Sequence, residues 1–423
     1  MNKIFEEAHI GPVTLRNRTI RSAAFESMCP GHIVSQELYD YHTSVARGGI
    51  GMTTVAYAAV TESGLSFDRQ LVMTPEVVPG LKWLVDGVHA EGAKASIQLG
   101  HCGNMSHKAI CGCTPVGACN GFNLYSPTIV RGLRAEELPP LARKFGDAVR
   151  LAREAGFDCV EIHCGHGYLI DQFLNTFFNH RKDEYGGSLE NRMRFMTMCV
   201  EESIKAAREE GQRPLAVICK MNMRDGLKHP GTTFDESIAI ARRLQELGVD
   251  GIVLSGGLVS ATPMYVMRGE MPLKTMAHYM PLSKWWLKAG VRTCGRMLVP
   301  TVPYQEAFFL EDALKFREAL PTMTFIYVGG LVCGDKINEV LSHGFEAVQM
   351  ARSVLREPDF VNKLKADEHY RSQCGHSNYC IGRMYSEDMK CHQCMGGEKI
   401  PAYLQKEIER IEKEQKTHPQ PLA

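Results

Sequence analysis

The chain is expected to fold as an α/β protein, a (β/α)8 TIM barrel carrying a cysteine-containing C-terminal extension. Three observations predict this. Short β-rich runs alternate strictly with amphipathic stretches, and parallel strands need such crossovers. Eight of these units spread over roughly 350 residues, which suits a closed barrel better than an open doubly wound sheet. No Gly-x-Gly-x-x-Gly opens a helix after the first strand, which counts against a dinucleotide-binding domain of the doubly wound kind.

The first strand is expected near Thr19 to Phe25, with a helix from Ser35 to Arg47 behind it. The second strand, Gly51 to Ala59, is rich in Thr and Val. Helix Pro79 to Glu91 leads to strand Lys94 to Leu99. A Cys- and Gly-rich insertion, His101 to Leu133, has no clear period. Helix Pro139 to Ala155 precedes the fourth strand, Cys159 to His163. Helix Leu189 to Glu210 precedes strand Leu215 to Met221, and helix Phe234 to Leu247 precedes strand Gly251 to Ser255. A long irregular insertion, Gly256 to Pro303, follows. Helix Tyr304 to Ala319, strand Phe325 to Val328, helix Gly334 to His343 and strand Ala347 to Met350 complete the set. The barrel is assigned to residues 1–366. Residues 367–423 form a tail whose last helix, Ala402 to Gln415, carries the Glu/Lys pairs of a solvated face.

Composition narrows the function classes. Forty-eight basic residues balance forty-eight acidic ones, and no long basic run occurs. Nucleic acid and anionic membrane are thereby excluded as main partners. The first seven residues carry two acids and no apolar core, so they do not read as a signal peptide. No apolar stretch approaches the ~20 residues that span a bilayer. The protein reads as soluble and cytoplasmic, acting on a small molecule, with self-association into a homo-oligomer left open. Its fifteen cysteines, an odd number, are expected as free thiols or metal ligands rather than disulfides.

Barrel chemistry sits at the C-terminal ends of strands. Those ends read Ala23-Ala24-Phe25-Glu26, Ala56-Tyr57, Gln98, His163 with His166 and Tyr168 beyond it, Lys220 with Asn222, Ser255-Gly256-Gly257, Gly329-Gly330, and Ala351-Arg352. The densest stretch is Glu161-Ile-His163-Cys-Gly-His166-Gly-Tyr168, followed by the polar run from Asn179 to Arg192. So many hydrogen-bonding groups after a strand point to a site.

With these pieces in order, the chain resembles the Old Yellow Enzyme family of flavin-dependent ene-reductases. The resemblance rests on Leu15-Arg-Asn17-Arg18, Gln98-Leu-Gly-His101, His163-x-x-His166-x-Tyr168, Arg181-x-Asp183-x-Tyr185-Gly-Gly-Ser-x-x-Asn191-Arg192, Val328-Gly-Gly and Met350-Ala-Arg352. It implies FMN as cofactor and NAD(P)H as reductant. Gln98 matches the amide that pairs with the flavin pyrimidine edge, offering donor and acceptor together. Lys220 falls where a cation lies near flavin N1 and O2. Gly256-Gly257, Gly329-Gly330, Ala351 and Arg352 match the phosphate cradle. Ala24, Phe25 and Tyr57 stand against the flavin. Phe25 and Glu26 occupy places where the family often has threonine or cysteine, and Tyr57 one where a small residue often lies. His163 and His166 match the pair that grips a substrate carbonyl oxygen, and Tyr168 the proton donor. The run from Arg181 to Arg192 is read as a buttress of that wall. The segment Leu258 to Pro303, with Met264, Met267 and Trp285-Trp286, is read as a lid or substrate wall.

The tail resembles the iron–sulfur segment of larger relatives of the 2,4-dienoyl-CoA reductase type, with Ser377 in place of one cysteine. The chain is accordingly read as a short form without their C-terminal FAD and nicotinamide domain. Three readings stand open: a degenerate segment without metal, a zinc or other metal site using Cys374, Cys380, Cys391 and Cys394 with His376 or His392 as a further ligand, and a 4Fe–4S cluster with Cys394 supplying the missing ligand. The expected function is FMN-dependent reduction of an activated C=C bond of an α,β-unsaturated carbonyl compound. The alternatives are an iron–sulfur/FMN reductase or electron-transfer subunit fed by a partner protein, and a flavin-free barrel acting as a binding protein.

Overall fold

In a computed structural model that describes residues 2–124, 127–229, 231–280 and 285–417, eight parallel strands close into a barrel. They are β1 (Thr19–Arg21), β2 (Met52–Ala59), β3 (Lys94–Gly100), β4 (Cys159–His163), β5 (Ala216–Asn222), β6 (Gly251–Ser255), β7 (Phe325–Val328) and β8 (Ala347–Met350). Each pairs with its sequence neighbour, and β8 closes on β1 through Gln349 opposite Ile20. Helices α1 (Gln36–Arg47), α2 (Val78–Ala90), α3 (Leu138–Glu154), α4 (Leu189–Ala207), α5 (Phe234–Leu247), α6 (Leu310–Ala319), α7 (Gly334–Ser342) and α8 (Phe360–Ala366) surround it. Local sequence sets their starts. Ser35, Ser188 and Thr233 each accept a backbone N–H from the first turn, and Thr233 with Glu236 forms a capping box.

Strand side chains alternate with period two, so inward positions can be read by parity. Met52, Cys159, Ala216, Ile218, Val253, Ile326 and Ala347 form an apolar floor inside the barrel. An N-terminal hairpin, Ala8–Ile10 paired with Val13–Leu15, closes that floor from below. One step further along the same parity, the interior turns polar, with Gln98, Glu161, Lys220 and Gln349, all buried. The main core lies outside the barrel, between strands and helices.

The expected strands all exist; β4, β6, β7 and β8 keep their expected bounds, and the other four shift at one or both ends. Strand β1 stops at Arg21, because Arg21 and Glu26 form a buried pair that folds the next residues back. The helix expected from Tyr304 begins at Leu310. The His101 to Leu133 insertion holds a three-stranded sheet of Val116–Gly117, Gly121–Asn123 and Thr128–Gly132. The insertion after β6 contains helices Pro263–Met267, Leu273–Tyr279 and Trp285–Leu298, while residues 281–284 of the expected lid lie outside the described residues. The tail packs helix α9 (Tyr379–Met384) onto the barrel top and ends in α10 (Ala402–Thr417).

The run from Arg181 to Arg192 is structural in its contacts. Arg181 donates to the Ala118 carbonyl at 2.9 Å and to Asp183 at 2.9 Å. Arg192 is buried, donates to the carbonyls of Leu174 and Gly187, and pairs with Glu236. Arg192→Leu orphans those acceptors and is expected to cost about 2–4 kcal/mol. Urea unfolding should show that loss while turnover per folded molecule stays unchanged. A drop in turnover without a stability loss would contradict the buttress role.

Candidate active site

A cavity opens at the C-terminal ends of the strands and is walled by most of the residues singled out above. Ala24, Phe25, Tyr57, Gln98, His163, His166, Tyr168, Lys220, Gly329, Gly330, Ala351 and Arg352 all line it. Gly256 and Gly257 are not part of its wall: an added Cβ at either meets Tyr265 within 3.4 Å. These two glycines serve the site indirectly, since the Gly257 carbonyl accepts from Asn222 at 3.0 Å.

Glu161 organises the polar layer. Fully buried on β4, it accepts from Gln98 Nε2 at 2.6 Å and from Gln349 Nε2 at 2.8 Å, and pairs with Lys220 Nζ at 2.8 Å. Ser22 Oγ donates to Gln349 Oε1 at 2.9 Å. Burial lowers the Lys220 pKa, and Glu161 opposes that shift. The carboxylate thus fixes the amides and the cation in place. Glu161, Gln349 and Ser22 had no assigned role in the sequence. Strand parity was the available signal, because Glu161 points to the same side as His163.

The turn after β4 is held by its neighbours. Asn222 Oδ1 accepts the His166 N–H at 3.1 Å, and Asp171 Oδ2 accepts the Gly167 N–H at 2.7 Å. These bonds keep His166 at φ 60, a left-handed conformation that costs a non-glycine residue about 1 kcal/mol. The His163 ring stacks on Tyr168 at 4.1 Å and lies 5.0 Å from His166. The Gly165 N–H reaches His163 Nδ1 at 3.4 Å, which leaves the proton of a neutral ring on Nε2. His166 Nε2 is 2.7 Å from Ser255 Oγ. Burial pushes the Tyr168 phenol up, so it stays protonated, and pulls His166 down to about 3.

The sign of that histidine shift sets a stability prediction. The unfolded ring protonates near 6.5, whereas the buried ring resists protonation down to about 3. The unfolded state therefore binds more protons across that window, and stability falls as pH drops through it. Wild type should lose about 1 kcal/mol more than His166→Gln between pH 7 and pH 5.5 in urea unfolding of flavin-free protein. Equal losses would contradict a neutral His166.

The first-strand loop and the insertion contribute shape. Phe25 stacks on Phe67 at 4.7 Å, and Tyr57 meets Tyr168 edge-on at 5.1 Å. Glu26 faces away from the cavity, pairing with Arg21 and accepting the Ala56 N–H at 3.1 Å. Val259, Val266 and Met267 line the wall, whereas Trp285 and Trp286 are exposed at 70% and 52% and stand outside it. The tail supplies Ile381, Met384 and Tyr385 as the roof.

The donor set fits FMN. Gln98, Lys220 and Gln349 form a polar end, Ala24, Phe25 and Tyr57 border an apolar middle, and Arg352 with two glycines forms the other end. At that far end the Ser353 hydroxyl is buried with no hydrogen-bond partner among the described residues.

Among the described residues no group of three or more His, Cys, Asp or Glu is arranged to hold an ion. Cys394 Sγ donates to the Arg356 carbonyl at 3.3 Å, and the Cys380 thiol is buried. Among the described residues no helix is long and apolar enough to cross a membrane.

Comparison with known proteins places this geometry. Residues 3–283 match the family described as "NADH:flavin oxidoreductase / NADH oxidase family". The chain is 38% identical over 384 residues to a 4,4'-dithiodibutanoate disulfide reductase of Rhodococcus erythropolis, covering 90% of this chain and 93% of that protein. It is 35% identical over 271 residues to an NADPH dehydrogenase of Listeria welshimeri, covering 62% of this chain and 76% of that one. The structure of a 2-naphthoyl-CoA reductase complex superposes with a TM-score of 0.76 at 20% identity, covering 92% of this chain. The chain spans only 56% of that longer protein, and the likeness shows the shared fold.

Proposed function

Because the chain belongs to the NADH:flavin oxidoreductase / NADH oxidase (Old Yellow Enzyme) family, and so is an FMN-dependent oxidoreductase using NAD(P)H, we propose that its oxidant is an activated C=C bond. The flavin-free binding-protein reading falls with that membership. When bound, FMN supplies two-electron chemistry, taking hydride from NAD(P)H and delivering it to the substrate. In sum, an α,β-unsaturated carbonyl compound, NAD(P)H and a proton give the saturated carbonyl compound and NAD(P)+.

The observation that carries this reading is the cluster of His163, His166 and Tyr168 on one cavity wall above the polar layer. His163 and His166 donate to the substrate oxygen, on which negative charge grows as hydride adds to the β-carbon. Neutral imidazoles do this without delivering the proton themselves. Tyr168 then gives its phenolic proton to the α-carbon. Lys220, held by Glu161, presents positive charge at the polar end, where it favours an electron-rich flavin. Phe25, Tyr57 and the tail roof exclude water from the reacting atoms.

A second reading takes an organic disulfide as oxidant. It is favoured by the likeness to the Rhodococcus disulfide reductase over 90% of this chain. There the disulfide, NAD(P)H and a proton give two thiols, with Tyr168 protonating a departing thiolate. Product analysis decides between them. Cyclohexenone consumed in step with NAD(P)H to give cyclohexanone supports the first reading. Two thiols per NAD(P)H, with no enone turnover, supports the second.

A further inference from the structure

We infer that the cysteine-bearing tail completes the phosphate end of the cavity, with His376 as a direct ligand of a phosphate monoester. This rests on the FMN reading and goes beyond it, because residues 374–378 lie outside the stretch matched to the family. The tail thereby has a role in cofactor binding that does not require a metal.

Three observations converge on His376. His376 lines the cavity, as do Arg352 and Ser353. The residue is only 8% exposed, and its Nδ1 is buried without a hydrogen-bond partner among the described residues. The Ser353 hydroxyl shares that condition. Buried polar atoms are rarely left unpaired, and two orphans on one cavity end beside an arginine describe a place for an acceptor-rich anion. A phosphate monoester offers three oxygens to these donors.

The tail holds this ring with some force. His376 stacks on Tyr304 at 3.7 Å with the planes 24° apart. Both His376 and Asn378 adopt φ 56, an uncommon conformation for non-glycine residues. Asn378 is pinned there: it accepts from Arg352 Nη1 at 2.6 Å and donates to the Arg268 carbonyl at 2.7 Å. The tail and the arginine are therefore one unit. Burial, Arg352 and Arg371 depress the His376 pKa, while Arg371 is itself paired with Glu306 at 3.0 Å. An imidazole N–H is a hydrogen-bond donor to such an anion. Gly329, Gly330 and Arg352, which line the same end of the cavity, supply the barrel's share of the site.

Comparing FMN with riboflavin tests the assignment, because the two differ only by the phosphate. Full-length flavin-free protein is titrated with each ligand by quenching of flavin fluorescence. His376→Phe keeps a ring to stack on Tyr304 and removes only the nitrogens. The expected result is a loss of FMN affinity of about 10- to 100-fold with riboflavin affinity unchanged. His376→Asn, whose amide can take the place of Nδ1, should recover most of the loss. Inorganic phosphate should compete with FMN on wild type, and far less on His376→Phe. Equal FMN affinity in wild type and His376→Phe would overturn the assignment, as would parallel losses for FMN and riboflavin. Failure of wild type to bind FMN at all would instead overturn the FMN reading, and this inference with it.

Discussion

Tyr168→Phe is expected to slow enone reduction by about 10²- to 10⁴-fold, the usual worth of a placed general acid, while the rate of flavin reduction by NAD(P)H is unchanged. The split between half-reactions is the informative part. The substitution removes one hydroxyl and keeps the ring, so the stack on His163 and the edge contact with Tyr57 survive. The phenol sits in a site where burial pushes its pKa up, so it carries its proton throughout the neutral range. Neither neighbouring imidazole is expected to substitute, since burial keeps both neutral and the proposed roles commit their N–H groups to the carbonyl oxygen. Stopped-flow traces of the two half-reactions give the answer. Equal slowing of both would make Tyr168 a packing residue, and no slowing of either would place the proton donor elsewhere.

Glu161→Ala is expected to destabilise the flavin-free protein by about 3–5 kcal/mol, because it leaves Lys220 charged, buried and unpaired. Lys220 and Glu161 are 3% and 0% exposed at the side chain, so solvent offers little relief. The same change releases Gln98 and Gln349, each of which loses its carboxylate acceptor. Glu161→Gln keeps the shape and an acceptor, and should cost less. Replacing the pair together, as Glu161→Leu with Lys220→Met, removes the orphaned charge and should recover much of the stability while abolishing tight FMN binding. Urea unfolding of the three variants checks this. A Glu161→Ala protein as stable as wild type would mean that the carboxylate is not the hub of the layer.

Much of the barrel was legible because its strands are read by two independent signals, β-rich composition and alternation with helices. All eight strands fall where composition puts them. The N-terminal hairpin escaped notice because each arm is three residues long, too short for a period to emerge. The β1 end was overextended because nothing local shows that Arg21 will capture Glu26. Among site residues, the strand-end set was visible since a barrel puts chemistry there, and most of its members share one cavity, with Glu26, Gly256 and Gly257 outside its wall. Glu161 was passed over because a carboxylate inside an apolar strand has meaning only once Gln98, Lys220 and Gln349 face it across the barrel. Gly256-Gly257 looked like the other Gly-Gly turns in sequence, yet Tyr265 covers them. Cysteine spacing in the tail suggested ligands, but Cys394 turns toward Arg356. His376, one residue from a glycine in that segment, was named only as a metal ligand.

The most direct test of the central claim is an anaerobic redox cycle followed by visible absorbance. Protein loaded with FMN is bleached by one equivalent of NADPH or NADH, and oxygen-free cyclohexenone is then added. Return of the oxidised flavin band, with one cyclohexanone formed per flavin, is the predicted result. A band that bleaches but stays bleached with the enone, and returns only with an organic disulfide, would contradict it.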